Sequence, residues 1–255
     1  MRKTRFWKLS GAGNDFVLLA GLPRGRSGAA LARVLCDRRR GVGADGLLVL
    51  SRRGGRARLD YWNADGSPAF CGNGSRCGAL WAASQGWVKG RAFTLDTGRG
   101  PLAVRLTAGG RAEVRMPRPK GLKLAMKVAG YTVHFVDTGV PHAVVFMSKI
   151  GDIASLGRLL RSHKAFGKAG ANVDFVSAAG GRLAVRTYER GVEGETLACG
   201  TGVVAAAVVA NALGYAGTSV PVRARSGDDM TVTLADDGPR LEGPGRVVFT
   251  GEVSI

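Results

Sequence analysis

The sequence predicts an α+β protein of two similar domains, each a curled, mainly antiparallel sheet wrapped around a central helix. Three observations carry this prediction. Motifs recur 126 to 128 residues apart in a chain of 255, so the sequence is written twice. Most of each half reads as short strands of alternating character, separated by Gly-rich turns. Each half also holds one Ala/Gly-rich helix with few charges, which needs sheet on most of its sides to be buried.

The repeat can be followed in order. Gly43-Ala44-Asp45 is echoed by Gly170-Ala171-Asn172, and Gly54-Gly55-Arg56 by Gly180-Gly181-Arg182. The alternating strand Arg58 to Trp62 returns as Ala184 to Tyr188, and Cys71-Gly72-Asn73-Gly74 returns as Cys199-Gly200-Thr201-Gly202. The small-residue stretches that follow end at Gly86 and Gly214. Five matches in one order at nearly one offset indicate duplication. The two prolines of Met116-Pro117-Arg118-Pro119 mark the join. The halves are therefore 1–116, with Cys71, and 117–255, with Cys199; the last few residues are candidates to return to the first half.

Each half has a lateral helix, about Gly28 to Arg38 and Asp152 to Ser162, and a central one, about Gly74 to Gln85 and Gly202 to Leu213. Strand pairs are expected at Phe93 to Thr97 with Leu102 to Leu106, Tyr131 to Val136 with Ala143 to Met147, and Thr218 to Ala224 with Met230 to Leu234.

Composition narrows the function. Met1-Arg2-Lys3 is followed by no apolar run, so no secretory signal is read and the cytoplasm is the expected location. The stretch from Leu197 to Val222 lacks charge but is broken by Gly, Thr, Asn and Pro, which fits a buried helix and strand rather than a membrane span. The net charge of +18 invites a nucleic-acid partner. The basic residues are dispersed, however, and no run is interleaved with aromatics, so no specific nucleic-acid binding is expected. Four cysteines, at 36, 71, 77 and 199, have neither CxxC spacing nor a nearby histidine, which argues against zinc. Cys36 and Cys77 fall within expected helices and read as core fillers.

Cys71 and Cys199 differ from these. Each opens a helix after a polar loop, where the first N–H groups lack internal partners and the helix dipole is positive. Such a place binds carboxylate and favours thiolate. Two copies, related by an approximate two-fold, point two thiols at one cleft. A thiolate on one face of a carbon and a thiol on the other meet the needs of stereoinversion, with roles exchanged in reverse. The N–H groups around Gly72/Asn73 and Gly200/Thr201 would hold the substrate α-carboxylate as the carbanion forms. A plainer reading remains open on this evidence, with both cysteines packed in a core or bonded to each other.

The chain also resembles the diaminopimelate epimerases of bacterial lysine and cell-wall biosynthesis. The resemblance rests on Lys8-Leu9-Ser10-Gly11-Ala12-Gly13-Asn14-Asp15-Phe16, Arg40 to Gly46, Asn63-Ala64-Asp65-Gly66-Ser67, Gly139-Val140-Pro141-His142, Gly170-Ala171-Asn172-Val173 and Tyr188-Glu189-Arg190-Gly191, with both Cys-Gly-x-Gly motifs. It implies LL- and meso-diaminopimelate as the small-molecule substrate and Cys71 and Cys199 as the acid/base pair, with no pyridoxal phosphate, other cofactor or metal. His142 and Glu189 match positions beside the catalytic thiols. Asn14, Asn63, Asn172 and Arg190 match positions that bind the distal amino-carboxylate end. Members of the family are often homodimers, which is the only warrant for expecting one here.

The competing enzyme reading is racemisation of another amino acid, such as histidine or proline; it would leave Arg190 without a carboxylate. Three departures from the family pattern bear on selectivity. Val140 stands where many members carry Asn, and Gly46 where some carry Gln. The loops leading to Cys71 and Cys199 are one residue shorter and one longer than expected.

Overall fold

The computed structural model describes residues 3–255; Met1 and Arg2, part of the segment read above for a signal, lie outside the described residues. The chain forms two compact units, one of residues 1–114 with 243–255 and one of residues 115–242. Thirteen C-terminal residues belong with the first unit, because their strand pairs with the first strand of the chain.

The first unit comprises β1 (Lys3–Gly11), β2 (Asn14–Ala20), α1 (Gly28–Leu35), β3 (Gly46–Arg53), β4 (Arg56–Asn63), α2 (Gly72–Ser84), β5 (Ala92–Thr97), β6 (Gly100–Thr107) and β7 (Arg111–Arg115). The second contains β8 (Lys120–Val128), β9 (Tyr131–Asp137), β10 (Pro141–Phe146), α3 (Ala154–Arg161), β11 (Asn172–Ala179), β12 (Arg182–Glu189), β13 (Gly194–Thr196), α4 (Gly200–Ala212), β14 (Ser219–Ala224), β15 (Asp229–Thr233) and β16 (Arg240–Pro244), the last running across the boundary. β17 (Arg246–Ser254) closes the chain.

The two sheets share one plan. In the first unit β17, β1 and β2 are antiparallel, β2–β3 is parallel, β3–β4 antiparallel, β4–β5 parallel, and β5–β6–β7 antiparallel. In the second, β8–β9–β10 are antiparallel, β10–β11 parallel, β11–β12 antiparallel, β12–β14 parallel, and β14–β15–β16 antiparallel. The fold class is α+β, with each mainly antiparallel sheet wrapped around a helix.

Both faces of the central strands are covered. On β2 and β3, Val17, Leu19, Leu47 and Val49 pack with Leu31 and Leu35 of α1. The alternate residues Phe16, Leu18, Leu48 and Leu50 are buried on the other face, where Gly74 and Gly78 of α2 lie against Phe16, Leu48 and Leu50. Two-sided burial explains why these strands read as continuous apolar runs. The second unit repeats this with Ala143, Val145, Val173 and Phe175 beneath α3 and Leu160.

The central helices begin two residues earlier than the pattern predicts. Cys71 and Cys199 are extended N-cap residues, and each accepts the first helical bond on its carbonyl, from Ser75 and Val203. α1 stops at Leu35 instead of Arg38, so Cys36 is its C-cap. The returning chain takes the final carbonyls, with Gly43 N–H bonded to Leu35 O and Ala44 N–H to Cys36 O. Burial pushes the Cys36 and Cys77 thiols up to about 12, as inert fillers require.

Candidate active site

In the first unit the Cys71 sulfur accepts the Gly74 N–H at 3.3 Å. The N–H groups of Gly72 and Asn73 precede the first helical bond, as expected for anion-binding donors. The Asn73 side chain is buried and used by the fold. Its Nδ2 donates to Asn14 Oδ1 at 2.6 Å, and its Oδ1 accepts from Arg76 Nη2 at 2.6 Å. Asn14 in turn donates to Asp45 at 2.9 Å. Behind it, Asp15 bonds Lys8 at 2.6 Å and Arg38 at 2.7 Å. Burial raises the Asp15 carboxyl, but these two cations more than offset it and hold it at about 2.

Asn63 ends β4 and is held locally. It accepts from the Tyr61 hydroxyl at 3.0 Å and donates to Ser67 Oγ at 3.0 Å. Asp65 accepts both the N–H and the hydroxyl of Ser67, which lower its carboxyl and pin the loop before Cys71.

The second unit joins its expected residues in one network. Cys199 Sγ lies 3.4 Å from Thr201 Oγ1, which lies 2.9 Å from His142 Nε2. His142 Nδ1 meets Asp174 at 2.7 Å, and both side chains are 0% exposed. Thr187 donates its hydroxyl to the other Asp174 oxygen at 2.7 Å. Glu189 accepts from Thr196 at 2.7 Å and hydrogen-bonds Cys199; burial pushes its carboxyl up. Asn172 accepts the Arg190 N–H at 2.8 Å, and the Arg190 guanidinium rests by the Gly170 carbonyl at 3.4 Å.

The expectation of a lowered thiol does not hold for Cys199. Burial first, then the charges of Glu189 and Asp174, push it well above the ordinary range, against the weaker pull of Thr201. All four cysteines are unbridged, so the disulfide reading falls. Among the described residues no group of three or more His, Cys, Asp or Glu is placed to hold a metal, and no helix is long and apolar enough to cross a membrane.

With this geometry in place, comparison with known proteins is informative. Residues 6–121 and 134–255 match the family model described as diaminopimelate epimerase. The chain belongs to the diaminopimelate epimerase family. Named diaminopimelate epimerases include one from Chlorobaculum tepidum, 36% identical over 97% of this chain and 100% of the relative. Another, from Gemmatimonas aurantiaca, is 38% identical over 98% and 99%. One from Methanothrix thermoacetophila is 39% identical over 100% and 97%. Among solved structures, a Bacillus anthracis phenazine biosynthesis protein of the PhzF family has the same fold at TM-score 0.75 and 13% identity, covering 100% of both chains. A probable proline racemase from Agrobacterium radiobacter K84 matches at TM-score 0.73 and 17% identity, over 99% and 93%.

Set within the diaminopimelate epimerase family, the Gly46 departure has a structural reason. A Cβ there would lie 2.4 Å from the Tyr61 ring, 2.6 Å from its hydroxyl oxygen and 2.6 Å from the Trp62 carbonyl oxygen. Tyr61 occupies the space a longer side chain would need, and its hydroxyl reaches Asn63 instead. The sequence reading missed Asp174, Thr187, Thr196 and Arg76. Asp174 carried no signal, since Asn172-Val173-Asp174-Phe175 alternates polar and apolar as a strand with one wet face does. Arg76 carried none, since one arginine in a helix ordinarily faces water.

Proposed function

We propose that this protein interconverts LL- and meso-diaminopimelate by two-base proton transfer at the α-carbon, in lysine and peptidoglycan-precursor biosynthesis. The observation that carries the reading is the duplicated one: in each unit a cysteine caps a largely buried central helix, with the first N–H groups of that helix beside it in sequence. Family membership supplies the substrate.

In this mechanism the sulfurs of Cys71 and Cys199 face one α-carbon from opposite sides. The thiolate removes the α-hydrogen from its face, and the thiol delivers a proton to the other. The N–H groups of Gly72/Asn73 and Gly200/Thr201 hold the α-carboxylate and stabilise the charge that develops. Cys199, pushed up by burial and two carboxylates, rests as the thiol. Asn14, Asn63, Asn172 and Arg190 receive the distal end, where a guanidinium can grip a carboxylate bidentately.

The test is incorporation of solvent deuterium at the α-carbon of LL-diaminopimelate by the purified protein, with nothing added. Exchange is expected, together with formation of the meso isomer. Cys71→Ala and Cys199→Ala should each lower turnover by on the order of 10³-fold or more. Exchange with proline or histidine but not with diaminopimelate overturns the substrate; full activity in either alanine variant overturns the two-thiol mechanism.

A further inference from the structure

The two units differ where their plan is most alike. The strand pairings set Phe16 two residues before Leu18, beside Leu48, which lies opposite Tyr61. The same count in the second unit sets His142 two residues before Val144, beside Asp174, which lies opposite Thr187. The helices agree with this correspondence. A Cβ on Gly74 would meet Leu48 and Phe16, whereas one on Gly202 would meet Asp174 Oδ1 at 2.2 Å and Thr187 Oγ1 at 3.0 Å. The first unit thus floors its cysteine-capped helix with hydrocarbon, and the second with an imidazole, a carboxylate and a hydroxyl.

Hydrocarbon serves the fold at these positions, as the first unit demonstrates. Burying a carboxylate and an imidazole costs free energy that only a full set of hydrogen bonds offsets. Here the set is full and has a direction. The Asp174 carboxylate can only accept, so His142 Nδ1 must donate to Oδ2, while Thr187 donates to Oδ1. When the ring is neutral, Nε2 carries the lone pair and can accept the Thr201 hydroxyl. The Thr201 oxygen is left to accept from the Cys199 S–H.

We propose that Asp174 is a positioning residue for the reaction: it fixes the His142 tautomer so that the imidazole, acting through the Thr201 hydroxyl, is the proton acceptor that makes Cys199 a base. The inference rests on the epimerase reading, in which each thiol must serve as base in one direction. Cys199 ionises as two protons move together, S–H to Thr201 Oγ1 and Thr201 Oγ1–H to His142 Nε2. The sulfur keeps its bonding pair as thiolate, the hydroxyl is regenerated, and the imidazolium is held against Asp174 with no change in net charge. The groups facing His142 are Asp174 and Asn172 from β11, Glu189 from β12, and Thr201 and Cys199 from α4. Glu189 reaches the sulfur directly, so the relay is a second route to the same atom.

The test uses the full-length protein with ¹⁵N-labelled histidine, of which it has three. Wild-type His142 is expected as the Nδ1–H tautomer at neutral pH, and Asp174→Asn, whose amide can donate to Nδ1, as the Nε2–H tautomer. Alkylation of the Cys199 peptide against pH, followed by mass spectrometry, should shift its midpoint upward by about one unit or more in Asp174→Asn, because loss of the proton acceptor outweighs loss of a carboxylate charge that itself raises the thiol. Thr201→Val should shift it likewise, and Thr201→Ser should restore the wild-type profile. In Asp174→Asn, kcat should fall on the order of 10²-fold, with KM within about threefold. An unchanged tautomer, or a changed tautomer without a shift at the thiol, overturns the proposal even if thermal stability drops. If Asp174→Asn does not fold, the Thr201 pair decides, and identical profiles for Val and Ser overturn it. Neither the ring nor the alkylation measurement uses substrate, so failure of the diaminopimelate reading is seen separately, as absence of α-hydrogen exchange in the wild type.

Discussion

An added Cβ at Gly46 comes within 2.4 Å of the Tyr61 ring. Gly46→Gln should therefore lower unfolding free energy by about 1–3 kcal/mol, through overpacking. Adding Tyr61→Ala should recover only the part due to the ring, because the Trp62 carbonyl oxygen, 2.6 Å from the same Cβ, stays in place; urea unfolding of Gly46→Gln, Tyr61→Ala and the double variant measures it. Asp15 gives a prediction in pH. Its carboxyl falls from the ordinary 3.8 to about 2 on folding, because Arg38 and Lys8 outweigh burial. A depressed carboxylate contributes stability that is fully present above its unfolded value and is lost as pH falls through its folded one. The wild type should thus lose on the order of 2 kcal/mol between about pH 4 and pH 2 through this group. Asp15→Asn should be less stable at neutral pH and show a flatter profile in that window; parallel curves would assign the acid sensitivity elsewhere.

At the scale of elements, the lateral helices approach the sheet through a glycine in each unit. A Cβ on Gly28 of α1 would sit 2.4 Å from the Trp62 ring, and one on Gly157 of α3 would sit 2.6 Å from Tyr188. Helix propensity predicts that Gly157→Ala stabilises α3 by about 1 kcal/mol. Packing predicts the opposite sign and wins, since the aromatic is fully buried and cannot step aside. A net loss of about 1–3 kcal/mol is expected in thermal or urea unfolding. This contact shows where sequence reading ends. The duplication, both central helices and the cysteines at their starts were readable, because repeats, Gly punctuation and low charge are local signals. The partners that surround the Cys199 sulfur were only partly readable. His142 and Glu189 were reached through motif resemblance, whereas Asp174, Thr187 and Thr196 come from strands whose register no local signal sets. The Cys199 environment inverted the expectation for the same reason: a helix N-terminus is visible in sequence, but the burial of the thiol and the carboxylate that β11 adds to that of Glu189 are not.

At the scale of the whole chain, the first unit borrows its outer strand from the far end of the sequence. β17 pairs with β1 from Lys3 opposite Ser254 to Ser10 opposite Arg246, with one irregularity after Lys8. Truncation after Gly245 should leave β1 with an open edge, a site for aberrant pairing. Hydrogen exchange on the truncated protein should show amide protection lost in β1 and β2 and retained in β9 to β12, and the truncated protein should aggregate more readily. Equal protection in both units would show that β17 is dispensable to the first.

Because residues 243–255 leave the ribosome after residues 115–242, the second unit has all its own strands while the first still lacks one. Residues 115–242 can mature as the nascent chain emerges, whereas a half synthesised earlier must stay incomplete until the strand of residues 246–254 follows. The order of manufacture is therefore the reverse of the order of completion. A stalled or prematurely ended translation product would present a finished C-terminal half tethered to an unfinished N-terminal one, the form that cellular quality control would encounter.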